Sequence, residues 1–118
     1  MRNTRLEGNI GEDIAMMFLT KQGVEVLERN YRIKGGEIDI IYKDGDYLSF
    51  AEVKYRSSGA FGQAYEAVDY AKRKRICKAS RVYLYSKHIP ENVYIRYDVI
   101  SIMDKEVTWY KNAFDYAN

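Results

Sequence analysis

The sequence contains one cysteine, one proline and no long hydrophobic run. The single cysteine, Cys77, excludes an intramolecular disulfide and a cysteine-based zinc cluster, so we expect a small buried apolar side chain there. No stretch reaches the roughly 18 apolar residues that a membrane-spanning helix requires, and the first residues lack the layout of a signal peptide. We therefore expect a protein without a membrane span, located in the cytoplasm.

The chain of 118 residues has the length of a single domain, and neither repeats nor a low-complexity linker divides residues 1–118. Hydrophobic residues make up 47% of it and charged residues 31%, which is typical of a packed core with a charged surface. The net charge of +2 excludes little, but six basic residues and no acid lie between Lys72 and Arg81. Such a basic segment indicates either a nucleic-acid contact or the solvated face of a helix.

The spacing of apolar residues predicts a helix, three strands, a second helix and a fourth strand. The predicted ranges are 4–22 for the first helix, 24–33, 38–42 and 47–55 for the three strands, 64–87 for the second helix and 93–103 for the last strand. Gly8 and Gly11 weaken the first helix, each by roughly 1 kcal/mol relative to alanine, and suggest a close backbone approach. A strand, a long helix and a further strand usually form a crossover between parallel strands, so we predict a mixed sheet with helices on its faces. The tail contains three aromatic residues that are expected to pack: Trp109, Tyr110 and Phe114.

Four charged residues interrupt the two most apolar predicted strands. Residues 35–56 read GGEIDIIYKDGDYLSFAEVKYR, with Glu37, Asp39, Glu52 and Lys54 inside the strands. Strand interiors disfavour these residue types, and a polar cluster in a strand covered on both sides is unfavourable unless it is paired or binds a metal ion. The charges therefore need a functional or structural reason.

The turn of this hairpin determines whether the charges converge. The dipeptide Asp44-Gly45 favours a two-residue hairpin turn. In that register Glu37 lies opposite Glu52, and Asp39 is a diagonal neighbour of Glu52 with Cα atoms about 7–8 Å apart. All four charged residues then share one face, whereas a turn one residue longer would separate them. The opposite face would carry Ile38, Ile40, Ala51 and Val53.

Three carboxylates on one buried face repel one another unless a cation is present. A divalent cation would relieve this repulsion. Because only oxygen ligands are available, the sequence favours Mg²⁺ or Mn²⁺. Lys54 adds a positive charge beside the metal, where it could position or deprotonate a water molecule or stabilise an oxyanion.

The same residues resemble a known metal site. GEIDII followed by AEVK is similar to the metal-binding motif of the PD-(D/E)XK nuclease superfamily, and the order of predicted elements matches that superfamily's core. Nearly the whole chain resembles the YraN family, predicted endonucleases related to archaeal Holliday junction resolvases. The matching segments are Gly11-Glu12, LERNYR (27–32), GGEIDII (35–41), FAEVKYR (50–56), Phe61-Gly62, Val68 with Lys72, Arg75-Ile76, YDVI (97–100) and NAF (112–114).

The resemblance implies a fold and a set of site residues. The fold would be α/β, with a restriction-endonuclease-like core in which helices flank a mixed β-sheet in the order α-β-β-β-α-β. Asp39 and Glu52 would bind the metal ion together with the carbonyl group of Val53, and Lys54 would be the catalytic lysine. Glu12 would correspond to an acid on the first helix that approaches the same site.

Two further acids flank this implied ligand set. Asp13 directly follows Glu12, and only one of the two is expected to face the site. Glu37 is expected to lie beside the metal ligands without binding the metal. The proline in the superfamily's name is absent here, because Ile38 precedes Asp39, and this proline is often missing in the superfamily.

Three functions are compatible with these observations. The first is an enzyme, a Mg²⁺- or Mn²⁺-dependent endonuclease that hydrolyses phosphodiester bonds in DNA, including branched or junction DNA, in repair or recombination. Junction cutting requires two sites, so we then expect a two-fold homodimer. The second is a nucleic-acid-binding module of the same fold that does not cut, and the third is a partner-binding protein whose acids form a buried ion network with Lys54. The residues expected to contact nucleic acid are Lys72, Arg73 and Arg75, followed by Gln63 and Tyr65.

Overall fold

The computed structural model describes the backbone of residues 4–56 and 68–117, and the side chains of residues 10–55 and 68–117. Its elements are α1 (Thr4–Lys21), β1 (Glu25–Ile33), β2 (Gly36–Asp44), β3 (Tyr47–Arg56), α2 (Tyr70–Ser86), β4 (Tyr94–Met103) and β5 (Glu106–Tyr110). Gln63 and Tyr65, two predicted nucleic-acid contacts, lie outside the described residues.

The five strands form one mixed sheet in the order β1-β2-β3-β4-β5. The β3–β4 pair is parallel, and the other three pairs are antiparallel. The chain segment that contains α2 therefore connects two parallel strands, as predicted, and the helix–strand order is compatible with a restriction-endonuclease-like α/β core. Strand β5 was not predicted, because the turn before it consists of Asp104 and Lys105, both with positive φ, instead of a glycine or proline signal.

Each face of the sheet is covered by an apolar cluster. The α1 cluster contains Ala15, Leu19, Ile40, Tyr42, Ala51, Ile100 and Ile102. The α2 cluster includes Ile38, Phe50, Val68, Ile76, Cys77, Ala79, Tyr83, Tyr97, Val99 and Phe114. Cys77 is buried, as predicted. None of the helices in the described part of the chain is long and apolar enough to cross a membrane. Because both faces are covered, a charged side chain in the middle of the sheet is removed from water, as Glu52 of β3 is.

The second helix starts later than the predicted boundary. Of its predicted first turns, residues 64–67 lie outside the described ranges, and Val68 and Asp69 are not helical. Asp69 is extended and its side chain accepts a hydrogen bond from the Lys72 amide, 2.8 Å away, so the helix begins at Tyr70. An aspartate at this position satisfies one of the free N–H groups of the first turn, which fixes the start of the helix.

The hairpin register differs by two residues from the predicted one. Asp44 pairs with Tyr47 and Ile40 with Ala51, so Gly45 and Asp46 form the turn. Gly45 has a φ of 60°, the conformation required at the first position of a type II′ turn. In the predicted turn, Asp44-Gly45, the same glycine was the second residue. A shift of two residues preserves which side chains share a face. The pairing ends at Ile40 and Ala51, one residue before Asp39 and Glu52. The carboxylates of Glu37 and Glu52 nevertheless meet beside Lys72, and Glu52 lies beside Lys54.

One predicted face assignment is wrong. Ile40, Ala51 and Val53 pack on the α1 side as expected, whereas Ile38 belongs to the α2 cluster. Regular alternation would place Ile38 and Ile40 on the same side. The alternation breaks between them, next to Asn30 of β1, which has a φ of 56°. Asp39 thus lies where β2 changes face.

Candidate metal site

Both helices approach the sheet very closely beside the charged cluster. A Cβ atom added to Gly11 would lie 2.8 Å from Cβ of Tyr55, and one added to Gly36 would lie 2.6 Å from the carbonyl oxygen of Arg75. Either contact would force a shift of the backbone. The close approach predicted from the glycines of α1 is confirmed at Gly11, whereas the surroundings of Gly8 lie outside the described side chains. Gly11 brings the adjacent Glu12 toward the end of β3.

Asp39 is held inside the sheet by a backbone hydrogen bond. The amide of Val53 donates to Oδ2 of Asp39 over 2.8 Å, immediately beyond the last paired residues of β2 and β3. Burial, followed by repulsion from Glu52, raises the pKa of Asp39 to about 8. The Val53 amide lowers this pKa, Glu12 raises it and Lys72 lowers it, each by less than the two dominant causes. A carboxylate in this environment favours a bound cation or a proton.

Glu52 is the most unusual acid of the cluster. It is only 5% exposed, and its Oε1 lies 3.6 Å from Nζ of Lys54 and 3.4 Å from Nζ of Lys72. Its other oxygen, Oε2, is buried without a hydrogen-bond partner. A buried carboxylate oxygen without a partner is unfavourable by roughly 1–3 kcal/mol or more, so the fold retains an unused acceptor here.

Lys72 contributes to the site rather than only to the helix surface. Its ammonium lies 3.3 Å from Glu37 and 3.4 Å from Glu52, which links the first turn of α2 to both strands of the hairpin. Burial alone would lower the pKa of Lys72, but the carboxylates of Glu52 and Glu37 outweigh this effect and raise it. Glu37 thus forms ion pairs with Lys72 of α2 and with Arg32 of β1, whose Nε lies 3.7 Å from Oε2 of Glu37.

The other predicted phosphate contacts differ in their surroundings. Nε of Arg73 donates to the carbonyl oxygen of Val68 over 2.9 Å, and its guanidinium lies 5.6 Å from the ring centre of Phe114. Arg75 is exposed on the outer face of α2. Arg73 thus binds within the chain, and Arg75 remains available to a ligand. Their contact with nucleic acid stays a prediction.

Of the two adjacent acids in α1, Glu12 is the one that points inward. Its side chain is 13% exposed, compared with 65% for Asp13, and only Glu12 affects the pKa of Asp39. Arg29 of β1 contacts both acids, with distances of 3.3 Å to Glu12 and 2.6 Å to Asp13. Arg29 was not predicted as part of the site, because its position on the α1 side depends on the change of face at Asn30.

The donor set is suited to a hard divalent cation. Asp39 and Glu52 lie on adjacent strands of the hairpin, one oxygen of Glu52 is unpartnered, and carboxylate oxygens are ligands that Mg²⁺ and Mn²⁺ prefer. Within residues 10–55 and 68–117 there is no group of three or more histidine, cysteine, aspartate or glutamate side chains arranged to hold a metal. A cation at this pair would therefore complete its coordination with backbone carbonyl groups, water or substrate, as Mg²⁺ commonly does.

A second buried charged cluster lies toward the other end of the sheet and has a different character. Asp98 is fully buried and accepts hydrogen bonds from Tyr42, from Arg96, from Trp109 and from the amide of Asn112. Burial and the Asp98 carboxylate raise the pKa of Tyr42. Because the chain itself satisfies both oxygens of Asp98, this cluster is structural. The candidate metal site differs from this cluster, because Oε2 of Glu52 has no hydrogen-bond partner.

Comparison with known proteins assigns the chain to a family. Residues 11–102 match the model of the "Uncharacterised protein family UPF0102". The chain belongs to the UPF0102 family. A UPF0102 protein of Janthinobacterium sp. (strain Marseille) is 46% identical over 111 residues, which cover 94% of this chain and 89% of that protein. Those of Lachnoclostridium phytofermentans and Fusobacterium nucleatum are 40% identical over 113 residues and 44% identical over 110 residues. These matches cover 96% of both chains in the first case, and 93% of this chain and 92% of the relative in the second. The resemblance to the YraN family, which is UPF0102, is thereby confirmed.

Proposed function

We propose that this UPF0102 protein is a divalent-metal-dependent endonuclease that hydrolyses phosphodiester bonds in DNA, with branched or junction DNA as its substrate class. The observation that supports the proposal most strongly is the state of Glu52. It is a buried carboxylate close to Asp39, with one oxygen between two lysines and the other without a partner. A cation at the free oxygen would satisfy the acceptor and relieve the repulsion that acts on Asp39.

Asp39 and Glu52 would hold a Mg²⁺ or Mn²⁺ ion, with the carbonyl group of Val53 as the further ligand that the family resemblance implies. When bound, such an ion polarises the scissile phosphate and lowers the pKa of a water molecule that attacks it. The hydrogen bond from the Val53 amide fixes one oxygen of Asp39, and the β3 backbone fixes Val53 relative to Glu52. The ligands therefore lie on a rigid hairpin instead of a loop, which favours a fixed coordination geometry.

Lys54 would act on the reacting groups. Its ammonium lies 3.6 Å from the Glu52 carboxylate. Its side chain is 25% exposed, so the ammonium can also contact solvent or substrate. An ammonium has three N–H donors and no acceptor. Lys54 can therefore hold a phosphate oxygen or the attacking water, and it offsets negative charge that develops in the transition state.

Lys72 and Glu12 would support the site from the two helices. Lys72 holds Glu37 and Glu52 toward α2, and Glu12 adds negative potential near Asp39 while Arg29 fixes its position. In this assignment Lys72 is a positioning residue. In the cytoplasm, two such chains related by a two-fold axis would cut both strands of a junction.

The direct test is cleavage of labelled junction, flap and nicked DNA with Mg²⁺ or Mn²⁺, compared with EDTA. Asp39→Asn and Glu52→Gln keep the shape of each side chain and remove its charge. Asp46→Asn is the matched control, since Asp46 is an exposed acid in the turn of the same hairpin. We expect metal-dependent cleavage that falls by at least about 100-fold in the first two variants and is unchanged in the control. Cleavage that persists in both site variants would contradict the proposal.

A purely structural ion network is the second candidate, and the ion pairs of Glu52 with Lys54 and Lys72 favour it. In that case the lysines alone stabilise the acids, and divalent cations neither bind nor stabilise the protein. Calorimetric titration of wild type and of Glu52→Gln with Mn²⁺ separates the candidates. Heat from wild type alone supports the metal site, and no heat from either supports the structural network.

A nucleic-acid-binding module without cleavage would bind DNA equally well in EDTA and leave it intact.

A further inference from the structure

The outer face of α2 carries an exposed row of four cations. Lys74, Arg75, Lys78 and Arg81 line a groove of about 460 Å³, together with residues of the β1–β2 turn and the C-terminal segment. The row extends over eight residues of helix, from Lys74 to Arg81, or about 10 Å along the helix axis. Successive phosphates on one strand of B-DNA lie about 3.4 Å apart along the axis, so the row is long enough for more than one phosphate.

The four cations differ from Lys72 in their contacts with the acids of residues 10–55 and 68–117. Within the described ranges, none of the four forms an ion pair with a carboxylate, whereas the neighbouring Lys72 is paired with two. Lys74 lies 5.6 Å from the ring centre of Tyr70, and Arg81 donates to the Tyr116 hydroxyl over 3.1 Å. Both contacts keep the positive charge at the surface. The row is therefore suited to bind an anionic ligand.

The groove starts close to the candidate metal site. Nζ of Lys78 lies so near Gly35 that a Cβ atom added there would come within 2.9 Å of it. Gly35 is two residues from Glu37, which contacts Lys72 at the site. A strand whose scissile phosphate lies at the hairpin can therefore continue along α2.

A second groove adjoins the first on the other side of the Arg81–Tyr116 hydrogen bond. It has a volume of about 390 Å³ and is lined mainly by apolar and aromatic side chains. Its walls are formed by Leu84, Ile95, Tyr97, Phe114 and Tyr116, with Asn112 and Asp115 as polar members. Tyr116 is 46% exposed, which leaves its ring accessible to a planar group. An apolar, aromatic pocket with a few polar atoms is typical of sites that bind a nucleobase.

We propose that the two grooves together bind single-stranded nucleic acid. Phosphates lie along Lys74, Arg75, Lys78 and Arg81, and an unpaired base enters the groove beyond Tyr116. A duplex fits this arrangement poorly, because its bases are stacked inside and only its phosphates reach the surface. The ligand class rests on the proposed function, and the site would bind the single-stranded arm of a flap or branch beside the cleaved bond.

Binding of labelled oligonucleotides in EDTA tests this without any cleavage. The probes are a short oligothymidylate, a duplex of the same length and a free nucleoside monophosphate as competitor, followed by fluorescence polarisation at several salt concentrations. The variants are Lys78→Ala and Arg81→Ala for the phosphate groove and Tyr116→Ala for the base groove. Lys43→Ala is the matched control, because Lys43 is an exposed lysine of β2 outside both grooves.

We expect Lys78→Ala and Arg81→Ala to weaken single-strand binding by about 3–10-fold and to reduce the slope of log affinity against log salt by about 0.7 each. Tyr116→Ala should weaken binding of the single strand by a factor of about 5 or more and affect the duplex less. If these variants bound the single strand as tightly as wild type does, the proposal would be overturned. It would also be overturned if the free nucleoside monophosphate displaced the oligonucleotide at an equal concentration. The same variants should raise KM for flap cleavage. If the groove variants cleave flap DNA with the KM of wild type, the groove proposal is wrong and the proposed enzyme function stands. If the variants bind single strands more weakly but the wild type does not cleave DNA, only the proposed enzyme function is wrong.

Discussion

The backbone amide of Val53 donates a hydrogen bond to Oδ2 of Asp39 over 2.8 Å, which ties this carboxylate to the strand that carries Glu52. Burial and repulsion from Glu52 nevertheless raise the pKa of Asp39 to about 8. The two acids are therefore held together by the backbone against their own repulsion. Residues that reduce stability in this way are common at functional sites, where the arrangement serves a ligand.

Removing the charge of Asp39 should make the metal-free protein more stable. In Asp39→Asn the amide oxygen can still accept from Val53, while the repulsion with Glu52 is lost. We expect a gain of about 1 kcal/mol at pH 8 without metal, measured by urea unfolding, and the loss of any stabilisation by Mn²⁺. A less stable Asp39→Asn protein that is still stabilised by Mn²⁺ would show that Asp39 is a structural acid only.

Lys72 and a bound cation compete for the same carboxylate. Nζ of Lys72 lies 3.4 Å from Oε1 of Glu52, so its charge opposes the approach of a second cation. Lys72→Met removes this charge and keeps the apolar stem. We expect Mn²⁺ affinity to rise by at least about fivefold in calorimetric titration, given that two charges this close interact by several kcal/mol at an effective dielectric constant near 20. Weaker Mn²⁺ binding in Lys72→Met would contradict the competition.

The contact of α1 with β3 should be intolerant of any side chain at Gly11. A Cβ atom there would lie 2.8 Å from Cβ of Tyr55, which is the rigid base of that side chain. Gly11→Ala should therefore lower the free energy of unfolding by about 1–3 kcal/mol, although alanine favours a helix, and it should move Glu12 away from Asp39. Met17→Ala is the control, since Met17 is 63% exposed on the same helix. A Gly11→Ala protein more stable than wild type would show that the two elements separate freely.

The Asp98 cluster should be essential for stability. Asp98 is fully buried, and its partners include Arg96, which is only 7% exposed. Asp98→Ala leaves the guanidinium of Arg96 with Asp44 alone, and we expect a loss of about 3–5 kcal/mol in urea unfolding. Tyr42→Phe removes one donor from Asp98 and should lower the stability by about 1 kcal/mol. Equal losses in the two variants would contradict the central role of the carboxylate.

The ion pairs of Asp44 make a pH-dependent contribution to the free energy of unfolding, which the Asp44→Asn variant removes. Burial acts to raise the pKa of Asp44, but its ion pairs with Arg96 and Lys111 outweigh burial and lower it from 3.8. An acid with a lowered folded-state pKa stabilises the protein above its unfolded-state pKa and loses this contribution as the pH falls. The stability difference between wild type and Asp44→Asn should therefore be about 1 kcal/mol at pH 6, begin to fall near pH 3.8 and vanish below the lowered folded-state pKa of Asp44. Unfolding at several pH values measures it, and a difference that grows toward acid pH would refute the assignment.

Much of the hairpin could be predicted from the sequence because its signals are local. Apolar, β-prone runs on both sides of a turn dipeptide indicate two strands, and strand parity then places Glu52 and Lys54 on one face. The exact register could not be predicted, since Asp44-Gly45 and Gly45-Asp46 are both acceptable two-residue turns and differ only in where glycine lies. The two registers differ by two residues and so share the same strand parity, which is why the error leaves Glu52 and Lys54 on one face.

Other features depend on contacts that no local pattern contains. Arg29 reaches Glu12 only because the strand alternation changes at Asn30, and an asparagine with positive φ inside a strand has no strong sequence signal. Lys72 was predicted to contact nucleic acid, and its ion pairs with Glu37 and Glu52 were not predicted, because they depend on how α2 lies over the sheet. Such tertiary pairs are set by the packing of elements far apart in the chain.

The most direct measurement of the central claim is an anomalous diffraction map of crystals grown with millimolar Mn²⁺. The account predicts one Mn²⁺ peak per chain, bonded to carboxylate oxygens of both Asp39 and Glu52, with Oε2 of Glu52 among them, and no peak in crystals of Glu52→Gln. A map in which this pair of acids binds no Mn²⁺, while Glu52 keeps only its two lysine contacts, would contradict it.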